Sequence, residues 1–262
     1  MVSGSFSLLQ ITDLHVLAAA NSRLLGVDTA ASLDAVLRAA LAERAADALI
    51  VTGDIAHDAS DATYARVRAA IASHHQGPVL WLPGNHDLAA PLDRQRPAAR
   101  ELQLGDWQVI AIDTHVDGAE GGNVEGLELD RLRSLLAHTR TQFVIVAGHH
   151  PPMPLGTPWL DGGSIANGIA LLDLLAAHER VRAYVCGHVH QETATMHRGV
   201  RVLTTPSTCF QFVPRSERFS VDATPPGWRW LDLASDGTLT TRVGRATDFA
   251  VTLDLSGFKT RH

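Results

Sequence analysis

Short apolar runs rich in branched residues alternate, as far as residue 186, with longer Ala/Leu/Arg stretches at helical spacing, and this alternation commits the chain to an α/β fold. Residues 6–12, 48–52, 78–82, 107–113, 143–147 and 181–186 read as strands. Residues 29–46 read as a helix with Leu33, Val36, Leu37, Ala40 and Leu41 on one face, and 61–73, 127–138 and 165–178 as further helices. Beyond Cys186 the pattern changes to short strands at 192–197, 200–205, 227–233 and 239–243, separated by turn signals such as Asp236-Gly237. These are expected to add antiparallel strands to one or two sheets. With no repeat, low-complexity tract or linker, residues 1–262 are expected to form one domain.

Five short motifs follow the apolar runs: Asp13-Leu14-His15, Gly53-Asp54, Gly84-Asn85-His86-Asp87, Gly148-His149-His150-Pro151 and Gly187-His188-Val189-His190. In open α/β sheets the loops at the carboxyl ends of strands build the ligand site, so motifs far apart in sequence can meet in one pocket. The side chains are imidazoles, carboxylates and one amide, the donors of a two-metal hydrolase. Mixed N/O donors without thiolate suit iron, manganese or zinc. In Asp13-x-His15 and His188-x-His190 a spacing of two puts both side chains on one side of an extended backbone. The glycines ahead of Asp54, Asn85, His149 and His188 allow tight turns and close approach to a ligand. A lone Asp-x-His or Gly-Asp occurs freely by chance, whereas all five in this order at strand ends form a joint signal.

Composition narrows the partners. The formal charge of −6 argues against a phosphate-tracking nucleic-acid binder. No run approaches the ~18 apolar residues of a membrane span, and residues 1–9 lack a basic, then apolar, secretory pattern. Two cysteines outside any paired metal spacing fit a reducing cytoplasm, the expected location. Fourteen histidines are the one composition figure that asks for a chemical explanation.

The ordered motifs resemble the signature of the calcineurin-like metallophosphoesterase superfamily, from Asp13 to His190 with no ligand position missing. The resemblance implies a four-layer α-β-β-α sandwich of two mixed sheets flanked by helices. It also implies two metal ions, iron and/or manganese or else zinc. One would take Asp13, His15, Asp54 and His190, the other Asp54, Asn85, His149 and His188, with Asp54 bridging. The segment Leu25-Gly26-Val27-Asp28-Thr29 with Ser32-Leu33 is similar to the bacterial class III cyclic nucleotide phosphodiesterases. So is the tail from Cys209 to Ser216 followed by Pro225-Pro226-Gly227-Trp228-Arg229, part of a family-specific region at about 204–230.

That likeness implies a 3′,5′-cyclic AMP phosphodiesterase in which a metal-bridging hydroxide attacks phosphorus and gives 5′-AMP, without a side-chain nucleophile. Two alternatives stand beside it: a broader phosphodiesterase acting on glycerophosphodiesters or 2′,3′-cyclic nucleotides, and a non-catalytic interaction scaffold. Two bound cations would make the site positive despite the acidic total. His86 is expected as the general acid to the leaving oxygen, and Asp87 to orient His86 or a ligand imidazole. His15, Asp54, Asn85, His86 and His190 are expected to contact substrate. Further candidates are Phe212 with Phe210 for the base, Arg215, which could pair instead with Glu217 or Asp222, and His150 and Asn167. His57, His74, His75, His115, His138, His178 and His197 read as surface or helix-end residues. Both a monomer and a homodimer remain compatible with the sequence.

Overall fold

A computed structural model describes residues 4–97 and 99–256. The expected domain of 1–262, and the first three residues of the segment read for a secretory signal, extend outside the described residues. Two mixed sheets form the centre. The first has the order β13-β12-β1-β2-β3, built from β1 (Phe6–Ile11), β2 (Ala48–Thr52), β3 (Val79–Leu82), β12 (Gly227–Leu233) and β13 (Leu239–Arg245). The second has the order β4-β5-β6-β7-β9-β8, with β4 (Glu101–Leu104), β5 (Trp107–Ala111), β6 (Phe143–Ala147), β7 (Val181–Cys186), β8 (Thr193–His197) and β9 (Val200–Thr204). A two-stranded ribbon pairs β10 (Gln211–Phe212) with β11 (Val221–Asp222).

Alternation along each strand divides the core into layers. Leu8, Ala48, Ile50, Ile145, Ala147, Ala183 and Val185 face the space between the sheets. Their neighbours Leu9, Ile11, Leu49 and Val51 face outward, under α1 (Thr29–Glu43) and α2 (Asp61–His74). On the other side Val144, Val146, Tyr184 and Cys186 meet Leu132 and Leu136 of α4 (Gly126–His138) and Leu171, Leu172 and Leu175 of α6 (Gly168–Ala176). Strands covered on both faces need apolar residues throughout, which is why they read as unbroken runs. The result is the expected α-β-β-α sandwich.

The tail is woven into both sheets. β12 pairs antiparallel with β1, Phe6 opposite Leu233. β9 runs parallel to β7, Ala183 opposite Arg201, and only its far side carries the antiparallel β8. The expectation of a purely antiparallel tail is corrected there: the chain leaves β7 through the Gly187–His190 loop, runs down the sheet edge, and returns between. Three short elements, α3 (Ala89–Gln95), β4 and α5 (Pro158–Asp161), have no counterpart among the elements expected from the sequence. Each has seven residues or fewer, too short for a periodic pattern. Among the described residues no helix is long and apolar enough to cross a membrane.

Candidate metal centre

All five motifs leave their strands at one end of the sandwich, and their side chains converge. Gln10 ties the two sheets there, donating through Nε2 to Thr52 Oγ1 (3.0 Å) and to the Cys186 carbonyl (3.2 Å). Asp54 occupies the middle. Its Oδ2 lies 3.5 Å from His15 Nε2 and its Oδ1 lies 3.4 Å from His149 Nε2. On one side His15 Nε2 approaches His190 Nε2 (3.2 Å), which is 3.6 Å from Asp13 Oδ1. On the other, Asn85 Oδ1 lies 3.1 Å from both His149 Nε2 and His188 Nδ1. The seven residues expected to ligate metal are therefore brought together, in the two groups expected, with Asp54 facing both.

The backbone that presents them is not extended. Asp13 (φ 51°), His15 (45°), Asp54 (50°), His188 (70°) and His190 (48°) all lie in the left-handed region. That conformation costs of order 1–3 kcal/mol per non-glycine residue and gathers at functional sites. The expectation that extended backbone aligns each i, i+2 pair is corrected: a left-handed kink at each member turns the side chains inward. The glycines act through proximity. A Cβ on Gly187 would run into Thr12 Oγ1 and sit 2.6 Å from Asp13 Oδ2, and one on Gly84 would press on Asp54.

Hydrogen bonds fix which atom each imidazole offers. His149 donates through Nδ1 to the Thr52 carbonyl (2.8 Å), and His190 through Nδ1 to the Phe210 carbonyl (2.8 Å). Their Nε2 lone pairs are thereby turned to the centre, as the outer partners of ligating histidines do. Neutral His149 would then aim a lone pair at the Asp54 carboxylate and the Asn85 amide oxygen, a repulsive arrangement unless a proton or a cation lies between them. The donor set fits two hard-to-borderline cations.

The electrostatics agree. Burial pushes the Asp13 carboxyl up to about 8, and the neighbouring Asp54 acts in the same direction. Burial alone would also raise Asp54, but His149, His86 and His15 together hold it well below the usual carboxylate range. Burial would lower His149, yet Asp54 and then Asp13 raise it to about 9. Burial lowers His188 and His190 to about 3, so both present neutral rings.

Residues outside the ligand set depart further from expectation. Asp87 is buried and accepts from the N–H groups of Gly84 (2.9 Å), Ile55 (3.1 Å) and Ala56 (3.1 Å) and from the Tyr64 hydroxyl (2.9 Å). Its observed partners lie in and beside the loops that carry Asp54 and Asn85, which it locks together. His86 stands at the cavity with its side chain 40% exposed, its N–H donating to Asp54 Oδ1 (2.9 Å).

His150 is fully buried behind His149 and His188, its Nδ1 2.7 Å from Thr114 Oγ1, and does not line the cavity. The expected substrate contact has no counterpart in the cavity lining, and His150 lies against the rings of His149 and His188. Arg215 is exposed, lies outside the lining and donates its backbone N–H to Thr157 Oγ1 (3.1 Å). Asn167 clamps Val124, donating to its carbonyl and accepting from its N–H.

The cavity over the centre has a volume of about 260 Å³. Phe210 and Phe212 line it, joined by Trp159, Phe219, Leu24 and Leu25. His57 lines it too, its ring stacked on His86 at 5.5 Å, and is not the surface histidine the sequence implied. His75 is also buried, its Nε2 donating to the Pro78 carbonyl. Trp159 lies in a Pro- and Gly-rich stretch, residues 151–163, without periodic pattern, so no spacing announces it.

The family model described as Calcineurin-like phosphoesterase matches residues 6–192. The 3′,5′-cyclic adenosine monophosphate phosphodiesterase CpdA of Pseudomonas aeruginosa is 38% identical over 261 residues, covering 97% of this chain and 96% of that protein. The protein of the same name from Escherichia coli (strain K12) is 40% identical over 248 residues, covering 92% and 90%. Among solved structures, a dimetal phosphatase from Danio rerio aligns with a TM-score of 0.65 at 15% identity, covering 92% of this chain and 99% of that one. A purple acid phosphatase from yellow lupin aligns at 0.69 and 15% identity, covering 96% and 53%. These two likenesses bear on the fold alone.

Proposed function

Because the chain belongs to the calcineurin-like phosphoesterase family, we propose that it hydrolyses 3′,5′-cyclic AMP to 5′-AMP at a centre of two metal ions. The observation that carries the proposal is Asp54, whose two oxygens face separate imidazole groups, His15 at 3.5 Å and His149 at 3.4 Å, at the floor of a 260 Å³ cavity. The choice of substrate is supported by relatives at 38% and 40% identity along nearly their whole length.

Asp13, His15, Asp54 and His190 would hold one cation, and Asp54, Asn85, His149 and His188 the other. Iron and/or manganese, or else zinc, suit these N/O donors. Two cations bound there would neutralise phosphoryl charge and supply a nucleophile from water at neutral pH. The chain's own part is positional. The left-handed kinks and the carbonyls of Thr52 and Phe210 hold the donors still. Water adds to phosphorus, the bond to O3′ breaks, and His86, exposed at the cavity with Nε2 4.0 Å from Asp54 Oδ2, delivers the proton that O3′ needs. His15, Asp54, Asn85 and His190 would contact the phosphate.

The proposal treats residues 1–262 as one domain, in keeping with the pairing of β12 to β1. It places the protein in the cytoplasm, where two buried free thiols, Cys186 and Cys209, would stay reduced. No nucleic-acid partner is part of it, given the charge of −6. The test is a panel of diesters assayed with Mn²⁺ or Fe²⁺: cyclic AMP, 2′,3′-cyclic AMP and a glycerophosphodiester. Turnover of cyclic AMP is expected, and a rate on it far below the others would assign a broader phosphodiesterase.

A further inference from the structure

One wall of the cavity is apolar and adjoins the metal side, where Phe212 stacks on His190 at 4.2 Å. Trp159, on α5, meets Phe212 edge-to-face at 4.9 Å and Phe219 at 5.2 Å. Leu24 and Leu25, from the turn before α1, line the same cavity and, like Phe212, pack against Val27, Cys209 and Phe210. Leu25 has φ 50°, a conformation that a bulky residue adopts only where its surroundings impose it. The wall is built from three distant segments and tied together. Trp159 Nε1 donates to Ser216 Oγ (3.0 Å), and Thr157 Oγ1 bonds both Gln191 and the Arg215 N–H. Gln191 follows His190, so the wall is braced directly against the metal side of the cavity.

This wall offers flat faces and no free polar atom. The one polar atom of Trp159 is spent on Ser216. Glu120, an acidic group at the cavity besides Asp54, accepts from Asn85 Nδ2 at 3.5 Å. Resting on the reading of the site as a cyclic nucleotide phosphodiesterase, we propose that Trp159 with Phe212, Phe219, Leu24 and Leu25 forms the nucleobase subsite. It takes a purine by stacking, with no hydrogen-bond readout of its edge. Such contacts tolerate any base, because every base has a π-face. Trp159 is therefore a specificity residue for nucleoside cyclic phosphates over other diesters, and not for adenine over guanine.

The test uses the full chain loaded with Mn²⁺ and three substrates: cyclic AMP, cyclic GMP and methyl riboside 3′,5′-cyclic phosphate, which keeps the ring diester and lacks the base. Wild type is expected to turn over cyclic AMP and cyclic GMP with kcat/KM values within about tenfold of each other. Trp159→Ala is expected to raise KM for cyclic AMP ~10- to 100-fold with a much smaller change in kcat, because stacking is felt equally in ground and transition states. The loss on the base-free diester should be at least about tenfold smaller, and Trp159→Phe should recover most of the cyclic AMP loss. Equal losses on both diesters, an unchanged KM for cyclic AMP, or a cyclic GMP deficit well beyond tenfold would each overturn the subsite while the function stands. Wild type that cleaves the base-free diester but not cyclic AMP would overturn the function, and the subsite with it.

Discussion

His149 Nε2 faces Asp54 Oδ1 across 3.4 Å while the Nδ1–H of the same ring is committed to the Thr52 carbonyl at 2.8 Å. A ring anchored in this way can meet a carboxylate only through a shared cation. In the metal-free protein that cation is a proton, as the rise of His149 to about 9 reflects. In a metal-loaded protein a metal ion would take the place of that proton. The same exchange applies to Asp13, held up to about 8 chiefly by burial.

It follows that metal binding releases protons. Below pH 8 both groups carry a proton that the cation must expel, so apparent affinity rises with pH, about tenfold per unit for each proton, and levels off above pH 9. Calorimetric titration of the stripped protein with Mn²⁺ at pH 7, in two buffers of different ionisation enthalpy, should show one to two protons released per chain. Affinity independent of pH between 6 and 9 would refute it.

His86 should be needed for rate and not for metal. His86→Ala is expected to keep the metal content of wild type and to lose ~10²–10⁴-fold in kcat on cyclic AMP. Loss of metal by elemental analysis in that variant would move His86 into the ligand set.

Asp87 should matter for folding. Removing its carboxylate strands three backbone N–H groups and the Tyr64 hydroxyl, at about 1–3 kcal/mol for each donor left buried and unpaired. Asp87→Ala is expected to lower stability by on the order of 3 kcal/mol and Tm by roughly 10 °C. An unchanged melting curve with lost activity would support the orienting role instead.

Gly187 keeps room for Asp13. With Ala there, the new Cβ displaces Thr12 Oγ1 and the Asp13 carboxylate. Gly187→Ala should weaken Mn²⁺ binding ~10- to 100-fold, the usual effect of disturbing a ligand's support. Wild-type affinity in that variant would contradict the close packing of the two loops.

The converging donors were legible because their pattern is local: each motif holds its own donors, and four of the five hold a glycine, at the end of a run that reads as a strand. The second layer was not. His57 shares no spacing with the motifs and reaches His86 only through the fold, and Asp87 is spent on backbone groups 31 and 32 residues away. The Phe210 carbonyl that orients His190 is a main-chain atom with no sequence signature. The left-handed φ values at Asp13 and His15 were hidden as well, since the alternation that placed them on one side described strand geometry and the chain had already left the strand. Trp159 sits on a helix of four residues, below the length at which periodicity speaks.

The central claim, that two metal ions held by these seven side chains turn over cyclic AMP, is tested most directly by stepwise addition of Mn²⁺ to stripped protein, with bound metal and cyclic AMP hydrolysis measured on the same samples. Activity should be absent at the start and reach its plateau at two ions per chain. Full turnover without metal, or none with both positions filled, would contradict it.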